Sequence, residues 1–200
     1  MQEGVCGEEA QAFRRRGRQF GTVAAILQTR AAIHVVHHDE ASARVALQVS
    51  RNLYQYFAAD TVVGHSAEAA TGGAGNLISV GTGESIWPGG LASHAIRVRE
   101  GSLTIRERCG RVRKYSWSHG GSVGAIFLRP LSGERVELVV WGSDVAGMQL
   151  AARLVPTLSG VGSPDFVVLD SSSAWKGMDG ALAMGFLDSK WGVSETSYLR

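Results

Sequence analysis

His34, His37, His38 and Asp39 are the densest group of ligand-type side chains in the sequence. Imidazoles beside a carboxylate supply the nitrogen and oxygen donors that zinc and similar ions take. Spacing works against the full set. Along a strand His34 and His38 share a face, while His37 points to the other. Open α/β sheets bind ligands at the C-terminal ends of their strands. A polar rim facing a small molecule is therefore the alternative to ordinary loop histidines, and no metal is expected.

Two glycine-rich stretches have the composition of phosphate-cradling loops: Gly72-Gly73-Ala74-Gly75 and Gly81-Thr82-Gly83. Such a loop works where it follows a strand and opens a helix, whose N-terminal N–H groups then face the phosphate. The first stretch precedes its strand. The second follows one, but Ile86-Trp87-Pro88-Gly89-Gly90 stops a helix from starting there. Both read better as tight turns, and no cofactor is expected.

Serine chemistry needs a nucleophile on a strained strand-to-helix elbow of the form GxSxG. Gly64-His65-Ser66-Ala67-Glu68 comes nearest, but Glu68 stands where the second glycine belongs. Ser122, Asp144 and His119 can be grouped into a nominal triad that no spacing supports. The usual chain order of serine, acid, then histidine also fails for Ser122, because no histidine follows His119. The catalytic residues are therefore unknown from the sequence.

These residues sit in a pattern of alternating strands and helices. Residues 1–19 carry no hydrophobic period and read as a frayed tail, followed by a single domain over residues 20–200. Residues 20–27 predict a helical turn and residues 31–36 a strand. Asp39 or Ser42 can cap a helix over residues 40–57, whose Val45, Leu47, Val49, Leu53, Tyr56 and Phe57 fall mainly at helical spacing. Strands follow at 61–63 and 77–80. Alternation on either side of Glu100-Gly101-Ser102 predicts an antiparallel hairpin of 95–99 with 103–106, and 114–117 offers an edge. Strands at 123–128 and 136–141 precede a helix over 145–158 capped by Ser143 or Asp144, and residues 166–169 form a further strand. The expected class is α/β: a mixed sheet with strand–helix–strand units at both ends and an antiparallel hairpin insertion. Trp175, Phe186 and Trp191 are expected to pack over the sheet.

Composition narrows the functional classes. Hydrophobic residues at 44% and charged residues at 19% exclude a wholly disordered chain. The 26 glycines cluster at strand ends, which favours many tight turns over a low-complexity linker. A net charge of +2 is too small to imply nucleic acid, and the run Arg14, Arg15, Arg16 and Arg18 reads as a solvated tail. No apolar run approaches a bilayer span, and residues 23–27 are too short for a signal-peptide core. Cys6 and Cys109 form no CxxC, and the sequence leaves open whether they pair.

The segment GVGSPDFVV (residues 160–168), then Trp175-Lys176-Gly177 and Gly185-Phe186 through Trp191, resembles the C-terminal end of large secreted α/β-hydrolase proteins of fungi and some bacteria. Those proteins are related to prolyl-oligopeptidase-like serine peptidases and esterases. Residues 21–27 (GTVAAIL) resemble the segment that follows their hydrolase domain, 46–60 their helix, and 125–130 (AIFLRP) their central strand. The resemblance spans residues 21–191. It implies an extracellular parent with serine hydrolase activity, whose nucleophile elbow would lie before Met1. No residue of this chain matches the family's catalytic positions. The expectation is a C-terminal accessory region, non-catalytic on its own, whose partner is the parent's catalytic hydrolase domain. The alternative is a small-molecule-binding α/β module with its site at the strand ends near His37, His38, Gly81 and Gly83.

Overall fold

The chain is described by a computed structural model covering residues 14–65, 73–82, 94–99, 101–116, 121–155 and 163–200. Apolar β-branched runs form the strands of the main sheet. β1 (Ile33–His37), β2 (Thr61–Gly64), β3 (Leu77–Thr82) and β8 (Val136–Gly142) lie parallel, while β7 (Val123–Pro130), β9 (Phe166–Asp170), β10 (Ala181–Gly185) and β11 (Tyr198–Leu199) complete an antiparallel half. The order across this eight-stranded sheet is β11-β10-β9-β7-β8-β3-β1-β2. β4 (Ile96–Arg99), β5 (Ser102–Arg106) and β6 (Val112–Tyr115) form a separate three-stranded antiparallel sheet. The mixed α/β class and the hairpin insertion stand as expected, with the hairpin extended to three strands.

Helix α1 (Glu40–Phe57) links β1 to its parallel neighbour β2. Asp39 caps it in a reciprocal box: the Asp39 carboxylate accepts from the Ser42 N–H at 2.6 Å, and Ser42 Oγ accepts from the Asp39 N–H at 3.0 Å. Val45, Ala46, Val49 and Leu53 form its buried stripe. Helix α2 (Val145–Ala152) is shorter than the expected 145–158. After it, the Leu154 and Val155 N–H groups bond three residues back, to Ala151 and Ala152. Pro156 disfavours the helical conformation at Val155, so the chain cannot run on as helix to 158, and the regular helix already stops at Ala152.

Helix α2 lies unusually close to the sheet. A Cβ on Gly142 would fall 2.1 Å from the Met148 nitrogen, and one on Gly124 would fall 2.1 Å from the Gly147 carbonyl oxygen. Gly124 and Gly142 are register partners, so the two strands together form a backbone-deep seat for the helix. The opposite face carries Val36, Ser79, Val139, Phe127 and Phe166 as successive register partners. There His94, leading into β4, stands 6.4 Å from Phe127 and 6.3 Å from Trp191.

Two expectations are corrected. Residues 1–13 lie outside the described residues, but the remainder of the tail is not frayed. Arg15 is buried: its Nη2 meets Asp165 Oδ1 at 2.5 Å, its Nη1 donates to the Leu187 carbonyl, and its guanidinium lies 4.5 Å from the centre of the Trp191 ring. Among the tail aromatics only Trp191 packs inside. Trp175 is 75% and Phe186 39% exposed, because the single-turn helix α3 (Ser173–Lys176) carries Trp175 outward and Phe186 follows the edge of β10.

Candidate functional site

The C-terminal ends of the parallel strands form one rim, as the fold class requires of a ligand site. His37 ends β1 and His65 follows β2, one step beyond the pairing of Val36 with Gly64. Register therefore makes them cross-strand neighbours, and their rings stand 3.9 Å apart at 55°. His37 is buried on the helix-covered face, and among the described residues its Nδ1 has no hydrogen-bond partner. His38 is half-buried with Nε2 also unpartnered. Burial lowers the His38 pKa, outweighing the attraction of Glu137 and Asp39 for its proton. Burial works to raise the Asp39 carboxyl, but hydrogen bonds from Ser42 and Thr82 outweigh it and hold the group below its ordinary value.

The four-residue cluster is divided as its spacing predicts. His34 and His38 lie on the face opposite His37, and Asp39 turns into the helix cap. Among the described residues no group of three or more His, Cys, Asp or Glu side chains is placed to hold a metal. Gly81 lies within β3, with Thr82 donating to Asp39 Oδ2 at 3.4 Å. Gly83 and Gly72 fall outside the described residues. Gly75 is at the opposite end of the sheet, packed so tightly that a Cβ would lie 2.0 Å from the Ala32 carbonyl oxygen. It makes a close backbone contact and cradles no phosphate.

The serine candidates separate in the same way. Ser66, Glu68 and His119 lie outside the described residues. Ser122 and Asp144 do meet: Ser122 Oγ donates to Asp144 Oδ2 at 2.7 Å. Asp144 Oδ1 meanwhile accepts from the Gly147 N–H at 2.7 Å as the cap of α2. Both oxygens of the Asp144 carboxylate are thereby engaged, one by the Ser122 hydroxyl and one by the start of α2. Cys109 is an exposed free thiol, and Cys6 is outside the described residues.

Two features escaped the sequence reading. The first is the His37–His65 pair, whose signal was the common register of β1 and β2. The second is a polar row on the opposite face: His34, Leu77, Glu137 and Arg129 are register partners across four strands. Glu137 is buried there, accepting from Ser79 Oγ at 2.6 Å and from both Nε and Nη2 of Arg129. Such a buried carboxylate is tolerated only with its charge and lone pairs satisfied.

Comparison with known proteins adds size and setting. The chain is 43% identical over 192 residues to an uncharacterized secreted protein of Arthroderma benhamiae. The match takes in 92% of this chain and 20% of that protein, so the chain spans about a fifth of the length of the curated relative it matches. No protein-family model matches the sequence. Among the described residues no helix is long and apolar enough to cross a membrane.

Proposed function

We propose that this chain is the C-terminal accessory α/β region of a secreted serine hydrolase of the peptidase or esterase type, and has no catalytic activity of its own. The observation that carries the reading is the match of nearly the whole chain to one fifth of a larger secreted protein. The hydrolase assignment is supported by the resemblance of residues 160–191 to the ends of secreted α/β-hydrolases. The engagement of Asp39 and Asp144 in helix caps supports the non-catalytic part. The region packs against the catalytic domain of the same polypeptide and shapes access to it.

A serine-directed fluorophosphonate tests both parts. It is expected to label the full-length Arthroderma protein and to leave this chain unlabelled. Stoichiometric labelling of this chain would overturn the non-catalytic assignment, and an unlabelled full-length relative would overturn the hydrolase assignment.

The packed His37 and His65 rings, with a His37 nitrogen that has no hydrogen-bond partner among the described residues, favour a second reading: a small-molecule-binding module with its site at the strand ends near His37, His38, Gly81 and Gly83. It predicts a thermal shift with one class among nucleotides, sugars and divalent metals, and it fails if all three leave the melting temperature unchanged.

A further inference from the structure

A groove of about 270 Å³ is lined by residues of α1 and of the second half of α2. Its floor is apolar, made by Val45, Val49 and Ala152. Its polar lining includes Arg44 of α1 and Arg153, the residue that ends α2, together with Gln48, Asn52 and Gln149. The lining contains no Asp or Glu, and among the described residues neither arginine has an ion-pair partner. Paired arginines offer planar forks of donors that match a carboxylate. An apolar floor beneath two uncommitted cations is complementary to a molecule with an anionic head and a short apolar body. The volume lies just under the roughly 300–1,000 Å³ of pockets for drug-sized ligands, so the occupant is small.

We infer that this groove is a binding site for a small amphipathic carboxylate, held by Arg44 and Arg153 at its head and by Val45, Val49 and Ala152 along its chain. The site is distinct from the strand-end rim, since its lining among the described residues includes none of His37, His38, His65 or Gly81.

Titration of the full chain with decanoate, followed by calorimetry and by amide NMR shifts, tests the inference. One-to-one saturation is expected, with shifts concentrated on α1 and α2. Acetate supplies only the head and decanol only the body, so each should bind at least about tenfold more weakly. The double variant R44Q/R153Q should weaken decanoate by about tenfold, two exposed charge contacts being lost together. Ala152→Phe fills the groove while leaving both arginines in place and should weaken it likewise. Absence of saturation, decanol binding as tightly as decanoate, shifts centred on the strand ends, or variants within twofold of the parent would each overturn it.

Discussion

His94 makes this protein sensitive to mild acid, and the effect can be sized. The imidazole is fully enclosed near Phe127 and Trp191, and its Nδ1 accepts from the Ile96 N–H at 3.2 Å. Burial pushes its pKa down to about 4, with Arg129 and Arg97 adding to the effect and the Ile96 backbone opposing it. The sign follows from linkage. The unfolded chain takes up a proton on this histidine below about pH 6.5, and the folded chain does so only near pH 4, so stability falls as pH drops through that window. Between pH 7 and 4.5 the loss is on the order of 2–3 kcal/mol, at about 1.4 kcal/mol per pKa unit. With a urea dependence of about 2 kcal/mol/M, the unfolding midpoint should fall by about 1 M. His94→Asn keeps a side-chain acceptor close to the Ile96 N–H but cannot titrate. That variant starts less stable because a cavity replaces part of the ring, yet its midpoint should move far less over the same interval. The comparison cancels contributions from other groups, including the depressed carboxyl of Asp39. A midpoint shift in His94→Asn equal to that of the parent would refute the reasoning.

Three further perturbations address the packing. Arg15→Ala leaves Asp165, 1% exposed, without its countercharge and should cost about 3–5 kcal/mol in urea unfolding; no measurable cost would restore the description of this segment as a loose tail. Gly142→Ala places a Cβ against the α2 backbone and should cost about 2 kcal/mol or more, whereas Gly64→Ala, with open space around it, should stay within about 0.5 kcal/mol in the same thermal melts. Asp144→Ala removes both the cap of α2 and the acceptor of Ser122, for an expected loss of about 1–2 kcal/mol by chemical denaturation.

What the sequence made legible depended on range. Helix α1 was readable end to end because an amphipathic period and a capping aspartate report on the same boundary. The strands from β1 to β3 and from β7 to β9 were readable because each is a short apolar run. β10 and β11 were not, since ALAMG and a two-residue pairing carry no alternation: β10 is a strand because it pairs with β9, and β11 because it pairs with β10. Arg15 was misplaced for a related reason. A buried arginine in a polar run looks like any solvated one until the partner, Asp165, is brought in from 150 residues away. The rim histidines lie between these cases: alternation separated His37 from His34 and His38 correctly, but pairing His37 with His65 required the register of two strands.

The same contrast bears on where hydrolytic chemistry can reside. Two of the carboxylates at the strand ends that could orient a base are already engaged in helix caps. Asp39 holds the start of α1 and accepts from Thr82, and Asp144 holds the start of α2 and accepts from Ser122. Recruiting either to a catalytic triad would surrender a helix cap, at about 1 kcal/mol, and break the hydrogen bond that now fixes the neighbouring hydroxyl. The His37 and His65 rings pack against each other, 3.9 Å apart and tilted at 55°, so each imidazole is held by the other. A sheet built this way is well suited to present a rigid face to another domain. That is the physical reason to look for the nucleophile of the proposed hydrolase in the longer polypeptide, with this region as its support.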